Sequence, residues 1–368
     1  MKKVLVVFGT RPEAIKMCPL VLELKKHKEI DCVVCLTGQH REMLDQVMEA
    51  FGVKADHDLD IMKKSQSLTS ITTSVLEGME PVLEEERPDI VLVHGDTTTS
   101  YAAALAAFYQ QIPVGHVEAG LRTGDIYSPY PEEMNRLLTD RISAYYFAPT
   151  ELNKRNLLNE GISENIHVTG NTVIDSFAHT VRGGYSFHES KLNDVDFDSR
   201  RVVLVTAHRR ENLGRPLRDI CIAIRRLAGS YSDAQFIYPV HLNPAVRKTV
   251  FEELSDIHNV MLIDPVDVLD MHNMMSRCYM VMTDSGGLQE EAPHFGKPVL
   301  VLRTETERPE AVEAGTVKVV GVDEEVIVTE ARRLFDDKEA YGKMAHAVNP
   351  YGDGKACGRI AEVLLSVA

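Results

Sequence analysis

The sequence predicts an α/β protein made of two Rossmann-like, doubly wound domains. Three observations predict this fold. Short apolar runs alternate with amphipathic helical patterns, the alternation stops once near the middle of the chain, and it then resumes. Such alternation is typical of parallel sheets covered by helices on both faces. A chain of 368 residues is also long enough for two domains of ordinary size.

The elements of the first half follow one another without a long gap. Predicted strands cover residues 4–8, 32–36, 90–93, 114–117, 145–148 and 166–169, and predicted helices cover 12–27, 42–51, 67–86, 98–110, 131–143 and 152–160. The pattern breaks over residues 173–200, which are polar and show no clear apolar period. We therefore expect an N-terminal domain over residues 1–170.

The second half repeats the pattern. Its predicted strands cover residues 201–206, 235–240, 260–263, 279–282, 299–302 and 317–320. We expect a C-terminal domain over residues 171–357 and a last helix, 358–368, that packs back on the first domain. Two such domains are expected to face each other across a ligand-binding cleft, because parallel strands bind ligands at their carboxyl ends.

Composition excludes several classes of partner and location. A net charge of −15 and a pI near 5.4 argue against nucleic acid as the main partner. The apolar run at residues 4–8 is too short for a signal peptide, and no run is long enough to span a membrane. Cys32 and Cys35 point to opposite faces of a strand, so a zinc or redox pair is not expected. These features predict a cytoplasmic protein.

The stretch 283–292 is the most informative part of the sequence. Ser285, Gly286 and Gly287 follow a predicted strand and open a helix, a geometry that exposes backbone N–H groups to a phosphate or diphosphate. Glu291 would lie one turn into that helix, where its carboxylate could accept hydrogen bonds from a ribose. The alternative is an ordinary strand-to-helix connection in which Ser285 caps the helix.

The first strand-to-helix turn contains one glycine, Gly9, and so lacks the pattern of a dinucleotide-binding turn. Arg11 and Lys16 stand at the start of the following helix. They could face a diphosphate, or they could be solvated surface charges.

Acidic residues follow several predicted strands and turns. Asp96 and Glu118 come directly after strands, and Glu132 opens a helix. A single acid at such a position is usually a helix cap, but three that converge on one site would have the separated pKa values that general acid and base catalysis requires. His208 follows a strand of the second domain and could be a structural histidine, a proton donor or a ligand contact. Arg308 follows another strand of that domain, where it would neutralise a diphosphate. No residue set has metal-ligand spacing, so no metal is expected.

Nine separated motifs together resemble one family closely. The chain resembles the non-hydrolysing UDP-N-acetylglucosamine 2-epimerases over nearly its whole length, through FGTRPEAIK (8–16), TGQHREMLDQV (37–47), VHGDTT (93–98), GHVEAGLRT (115–123), PEEMNR (131–136), GNTVID (170–175), TAHRREN (206–212), TDSGGLQEEAP (283–293) and ERPEAV (307–312).

The resemblance implies a cofactor-free isomerase that interconverts UDP-GlcNAc and UDP-ManNAc for cell-surface polysaccharides. It also implies the glycosyltransferase-B arrangement of two domains and a homodimer. The positions that match the family's catalytic residues are Asp96, Glu118, Glu132 and His208. Those that match its nucleotide-binding residues are Arg11, Lys16, Ser285, Gly286, Gly287, Glu291 and Arg308.

The chemistry explains why acids are needed. The proton at C2 of the sugar is not acidic, because no carbonyl is adjacent to it. The feasible route removes this proton while UDP leaves from C1, passes through 2-acetamidoglucal, and returns a proton to the opposite face. At least two proton-transfer groups are therefore required, and which of the four acts first is left open.

The resemblance also implies a second, activating UDP-GlcNAc site in many bacterial members. Gln39, His40 and His241 match that site, whereas Glu42 and Ser65 replace the Gln and Arg of some members. Losing an arginine would remove a phosphate contact, so activation by substrate stays an open question.

Three alternatives to a non-hydrolysing epimerase remain. A hydrolysing relative would release UDP and free ManNAc. A glycosyltransferase would share the fold and the diphosphate turn but would need only one base. A nucleotide-sugar sensor would bind without turnover.

Overall fold

A computed structural model describes residues 1–38, 41–63 and 66–366, with the side chains of residues 41–43 excepted. The chain forms two compact units, one containing Met1–Thr180 with the segment from Tyr351 onward, the other containing Val181–Pro350. Each unit is a parallel sheet flanked by helices, which confirms the predicted α/β class.

Unit 1 contains a parallel sheet in the strand order β3-β2-β1-β4-β5-β6-β7. Its strands are β1 (Lys2–Phe8), β2 (Ile30–Leu36), β3 (His57–Asp58), β4 (Ile90–His94), β5 (Val114–Val117), β6 (Tyr145–Ala148) and β7 (Ile166–Val168). Its helices are α1 (Arg11–Leu24), α2 (Arg41–Phe51), α3 (Leu68–Glu86), α4 (Thr98–Tyr109), α5 (Glu132–Ile142), α6 (Glu151–Asn159) and α7 (Thr172–Thr180).

Unit 2 contains a second parallel sheet in the order β10-β9-β8-β11-β12-β13. Its strands are β8 (Arg201–Thr206), β9 (Ala234–Pro239), β10 (Val260–Ile263), β11 (Met280–Thr283), β12 (Val299–Val301) and β13 (Val317–Val319). Its helices are α8 (Arg215–Ser230), α9 (Pro244–Leu254), α10 (Val268–Arg277), α11 (Gly286–Glu291), α12 (Pro309–Ala314), α13 (Glu324–Asp336) and α14 (Lys338–Ala345). The last helix, α15 (Ala356–Ser366), packs on α1 and α7 in unit 1.

The strand order fixes where ligands can bind. In unit 1 the chain moves outward from β1 to β2 and then returns to place β4 on the other side of β1, and in unit 2 β8 and β11 have the same relation. At such a switch point the two following loops diverge and leave a crevice at the carboxyl edge of the sheet. The loops at the two switch points of this chain are those after Phe8 and His94 and those after Thr206 and Thr283.

The cores explain the continuous apolar runs seen in the sequence. Residues 4–8 of β1 are at most 1% exposed, because helices cover both faces of the sheet. A fully buried Val or Leu side chain contributes about 1.5–3 kcal/mol to folding. In unit 2 the corresponding core is formed by strands β8, β9, β11 and β12 and the apolar faces of α8 and α13.

Three details differ from the expectations. The units divide between Thr180 and Val181 rather than at residue 170, because α7 packs on α1. Residues 173–180 lie within the stretch 173–200 where the sequence shows no clear apolar period, yet with Thr172 they form α7, in which Thr172, Asp175 and Ser176 are buried beside Val173 and Phe177. Because polar residues occupy part of its buried face, the sequence of this helix shows no clear apolar period. The two-residue strand β3 was also not predicted.

The six cysteines are buried thiols. Burial raises the pKa of Cys32 and of Cys35 to about 12, so neither is poised to form the thiolate that a metal or redox site needs. Among the helices in the described parts of the chain, none has the length and apolarity to cross a membrane.

Candidate active site

The turn between β1 and α1 is held by a capping box. Thr10 is the N-cap, and the Glu13 carboxylate accepts hydrogen bonds from the backbone N–H groups of Gly9 and Thr10 at 2.8 and 2.7 Å. The other oxygen of Glu13 accepts hydrogen bonds from the hydroxyl groups of Thr97, the N-cap of α4, and of Ser100 in the first turn of α4. A Cβ on Gly9 would lie 1.6 Å from Thr37 Oγ1, so only glycine fits here. Glu13 therefore ties together the two loops at the switch point of unit 1.

Glu118 lies at the centre of a polar cluster after β5. Its carboxylate accepts hydrogen bonds from Lys16 Nζ and, at 2.9 Å, from Asn171 Nδ2. His94 Nε2 lies 3.5 Å from the same oxygen, and neither ring nitrogen of this buried histidine has a hydrogen-bond partner within the described ranges. Glu118 also has a φ of +68°, a conformation that non-glycine residues adopt rarely. Lys16, predicted as a nucleotide contact, is thus a direct partner of a predicted catalytic acid.

Asp96 is fixed by α5. Arg136 Nη2 donates to its carboxylate at 2.5 Å, and Asn135 Nδ2 donates to its backbone carbonyl at 2.9 Å. A Cβ added to Gly95 would lie 3.9 Å from Glu118 Oε1, so the loops that carry the two acids are adjacent. The structure therefore brings Asp96 and Glu118 together at one sheet edge.

Glu132 is the first residue of α5 and is partly exposed. Its neighbour Glu133 is buried and accepts hydrogen bonds from the backbone N–H groups of Thr123 and Gly124, both at 3.0 Å. Glu133 thus anchors the preceding loop, while the Glu132 side chain has no hydrogen bond with any residue that the structure describes. The helix that holds Asp96 also carries this third acid.

In unit 2 a buried aspartate organises the loop that carries His208. Asp284 Oδ2 accepts hydrogen bonds from the backbone N–H groups of His208 and Arg209 at 2.7 and 2.8 Å, and from Asn212 Nδ2 at 3.0 Å. Asp284 follows β11 directly and precedes Ser285. It therefore connects the predicted proton donor with the predicted diphosphate turn.

Two guanidinium groups flank that turn. A Cβ on Gly286 would lie 3.8 Å from Arg209 Nη2 and 3.9 Å from Arg308 Nη2. Arg308 is oriented by an ion pair with the buried Glu290. Ser285 is the N-cap of α11 but makes no capping hydrogen bond with its side chain within the described structure. The side chain of Ser285 is not used as the helix cap that the alternative interpretation requires.

Glu291, in the same short helix, lies beside the glycine turn. Its carboxylate is 3.6 Å from His272 Nε2, and a Cβ on Gly287 would lie 3.1 Å from its other oxygen. Glu290 and Glu291 are adjacent in sequence but make different contacts, since Glu290 pairs with Arg308 and Glu291 faces the glycine turn.

His208 and His241 lie side by side, with ring centroids 4.9 Å apart and the planes tilted by 20°. Burial lowers the pKa of His208 below its ordinary value; Asp284 opposes this shift, and His241 and Arg209 add to it. The residue matched to the catalytic set and the one matched to the activating set are therefore in contact. Gln39 and His40, the other two residues of the predicted activating site, lie outside the described residues. Ser65 and the side chain of Glu42 also lie outside them.

Several residues of these clusters were not singled out from the sequence. His94, Asn135, Arg136, Asn171, Arg209 and Asp284 all lie within motifs quoted above, but each acts through burial or through a partner distant in sequence. Position at the end of a strand could have identified two of them, because His94 is the last residue of β4 and Asp284 directly follows β11. The assigned roles of the site residues remain predictions.

One group with metal-ligating atoms lies elsewhere in unit 2. Atoms of His188, Asp267 and Asp270 lie within 4.8 Å of one another. The Asp270 carboxylate accepts hydrogen bonds from Tyr185 and from the backbone of His188 and Glu189, and Asp267 caps α10. These bonds account for the cluster without an ion.

Comparisons with known proteins agree on one family. The model of the family described as UDP-N-acetylglucosamine 2-epimerase matches residues 22–365. The UDP-N-acetylglucosamine 2-epimerase of Bacillus subtilis is 56% identical over 99% of this chain and 95% of its own length, and that of Escherichia coli K12 is 53% identical over 98% of both.

Solved structures give the same result. The Neisseria meningitidis UDP-GlcNAc 2-epimerase bound to UDP-GlcNAc is 52% identical, with a TM-score of 0.89 over 99% of this chain and 100% of that one. The Methanocaldococcus jannaschii UDP-GlcNAc 2-epimerase in complex with UDP-GlcNAc and UDP is 35% identical, with a TM-score of 0.81 over the full length of both. With its whole length matched at this level, the chain belongs to the UDP-N-acetylglucosamine 2-epimerase family and is an enzyme of that family.

Proposed function

We propose that the protein interconverts UDP-GlcNAc and UDP-ManNAc by anti elimination of UDP and its re-addition through 2-acetamidoglucal. The observation that carries the proposal is that two carboxylates, Asp96 and Glu118, lie on neighbouring loops and each is held by its own cation. Inversion at C2 without a redox cofactor needs proton transfer on both faces of the sugar. Two separately held acids at one sheet edge are what such a reaction requires.

The diphosphate is proposed to bind in unit 2. Arg209 and Arg308 flank Gly286, where they could neutralise the charge that develops on UDP as it leaves C1. Glu291 is proposed to accept hydrogen bonds from the ribose. His208, whose pKa is lowered by burial, would be largely neutral at pH 7 and would therefore act as a hydrogen-bond partner or proton acceptor in its resting form.

The first test is NMR of UDP-GlcNAc incubated with the purified protein in D2O, without added nicotinamide cofactor or metal. Deuterium at C2 of UDP-GlcNAc and of newly formed UDP-ManNAc is the expected result. Release of UDP and free ManNAc would assign the hydrolysing reaction instead. UDP-sugar binding with no exchange and no product would leave a transferase or a sensor.

Two variants separate catalysis from binding. Glu118→Gln keeps the size of the side chain but cannot accept a proton, so we expect turnover to fall by about 10²–10⁴-fold with UDP affinity unchanged. Glu85→Gln alters an exposed acid on α3 and should leave turnover at the wild-type level. Full activity in Glu118→Gln would overturn the assigned role of this residue.

We also infer a homodimer that acts in the cytoplasm and supplies UDP-ManNAc for cell-surface polysaccharides. Phe108 and Tyr109 at the end of α4 are 53% and 68% exposed, as expected if a second copy covers them. Six thiols suit a reducing compartment. Light scattering of the wild-type protein and of Phe108→Glu tests the dimer, because a charge in an apolar interface should shift the mass toward the monomer.

A further inference from the structure

His116 is a buried histidine that no proposed catalytic step uses. It lies in β5, two residues before Glu118, and its side chain is fully buried. Its Nδ1 lies 2.6 Å from Asp140 Oδ1, and its Nε2 lies 2.8 Å from the carbonyl oxygen of Gly95. A carbonyl oxygen can only accept a hydrogen bond, and the same is true of an ionised carboxylate. Both ring nitrogens therefore face acceptors, and satisfying both requires a proton on each.

The alternative is a neutral imidazole opposite a protonated Asp140. The second oxygen of Asp140 already accepts from Arg122 Nη2 at 2.6 Å and from the backbone N–H of Gly120 at 3.2 Å. In that alternative Oδ1 would donate its proton to Nδ1, but the guanidinium cation and the N–H group on Oδ2 stabilise the ionised carboxylate, so the proton between Oδ1 and Nδ1 belongs on the imidazole, the more basic of the two groups. Burial raises the pKa of Asp140, but His116 and Arg122 together lower it to below its ordinary value.

Charge balance leads to the same result. Arg122 also donates to both oxygens of Glu160, at 2.6 and 2.9 Å. With an ionised Asp140 and a neutral imidazole, Asp140, Glu160 and Arg122 would carry a net charge of −1 in a largely buried cluster. One proton on the His116–Asp140 pair brings the sum to zero, and the Arg122 cation beside Asp140 favours placing that proton on His116. An uncompensated buried charge is strongly destabilising. Tyr146, on the adjacent strand β6, donates its hydroxyl to the carbonyl of Ser143 and so adds no charge.

We propose that His116 is a positioning residue in the form of a buried imidazolium. Through the Gly95 carbonyl it holds the turn before Asp96, and through Asp140 it holds the turn after Glu118. The assignment rests on the proposed function, since it is the reaction that gives Asp96 and Glu118 their roles. Gly95 has a φ of +64° and Gly120 of +83°, and because glycine is conformationally permissive, contacts from outside these turns restrict their backbone. A charged N–H donor makes about twice as strong a hydrogen bond as a neutral one. One cation thereby fixes two neighbouring loops that each carry a proposed catalytic acid.

The protonation state can be measured without any assay of activity. Protein labelled with ¹⁵N-histidine is observed by NMR at pH 7.5, and the signal of His116 is identified by its loss in His116→Gln. We expect protons on both ring nitrogens of His116 in the wild type. In Asp140→Asn the charge of the partner is removed, and we expect one nitrogen to lose its proton at the same pH. A neutral His116 in the wild type would overturn the proposal, whether or not the protein turns over UDP-GlcNAc.

Kinetics test the positioning role. Glutamine can donate to Asp140 or to Gly95 but does not bridge both, so His116→Gln should lower kcat by about 10–100-fold, the cost of small misplacement of catalytic groups. KM and UDP affinity should stay within about twofold, because the proposed diphosphate contacts lie in unit 2. His258→Gln, an exposed histidine of unit 2, is the control. Unchanged kcat in a folded His116→Gln protein, or a rise in KM alone, would overturn the role.

Discussion

At the residue scale, one carboxylate illustrates how the site combines strain and charge. Glu118 adopts a positive φ and is held by Lys16 and Asn171, while the buried His94 lies beside it. A strained backbone persists only where its surroundings determine it strongly. The sequence placed Lys16 at the diphosphate because it stands at a helix N-terminus, and it could not indicate that the side chain contacts the loop after β5. Side-chain direction, unlike the end of a strand, depends on packing.

Lys16 therefore provides a sharp test. In Lys16→Gln the cation beside Glu118 is lost, and we expect kcat to fall by about 100-fold while the Kd for UDP, measured by calorimetry, changes by less than about twofold. The control is Lys28→Gln, which alters an exposed lysine. A large loss of UDP affinity with little change in kcat would show instead that Lys16 is a diphosphate contact.

The contact between His208 and His241 predicts that His241 influences the pKa of His208. Burial is the largest cause of the lowered pKa of His208, and His241 lowers it further. Replacing His241 by Gln removes one of the contributions that lower the pKa of His208, so that pKa should rise, while the burial of His208 continues to hold it down. NMR titration of the His208 ring measures this shift, with His258→Gln as the reference variant. A pKa that stays the same or falls would contradict the interaction.

At the element scale, the sequence predicts the order and type of most strands and helices because buried parallel strands are continuous apolar runs. The predicted strand at 114–117 is observed as β5, and 145–148 as β6. Helix α7 escaped detection because its buried face contains Thr172, Asp175 and Ser176. Asp284 and Asp140 were missed for the same reason. Sequence patterns treat polar residues as exposed, so the burial of these two aspartates could not be inferred.

Asp284 predicts a measurable contribution to the stability of unit 2. In Asp284→Ala three donors, including two backbone N–H groups, lose their buried acceptor, and we expect the free energy of unfolding to fall by about 3 kcal/mol or more. Asp323→Ala removes an exposed cap that accepts from the backbone of Val326, and should cost about 1 kcal/mol. Urea unfolding followed by circular dichroism compares the two. Equal losses of unfolding free energy in the two variants would show that burial does not increase the contribution of Asp284 to stability.

At the scale of the whole molecule, residues far apart in the sequence complete unit 1. The carbonyl of Tyr351 accepts a hydrogen bond from the backbone of Asn171 at 2.7 Å, and the Asn171 side chain in turn contacts Glu118. Asp175 accepts hydrogen bonds from the backbone N–H groups of Ala356 and Cys357, the first residues of α15, at 3.1 and 2.9 Å. The C-terminal segment is therefore part of the framework behind a proposed catalytic acid.

This link predicts that Asp175 controls both the last helix and turnover. In Asp175→Ala the two N–H groups at the start of α15 lose their acceptor, so amide hydrogen exchange in residues 356–366 should accelerate by about 10-fold or more, as the loss of about 1.4 kcal/mol or more would cause. kcat should fall as well, because Tyr351 precedes this helix and supports Asn171. Asp353→Ala breaks only an exposed ion pair with Arg359 and should change neither quantity appreciably. Faster exchange with wild-type kcat would show that α15 is anchored by Asp175 but does not support Glu118.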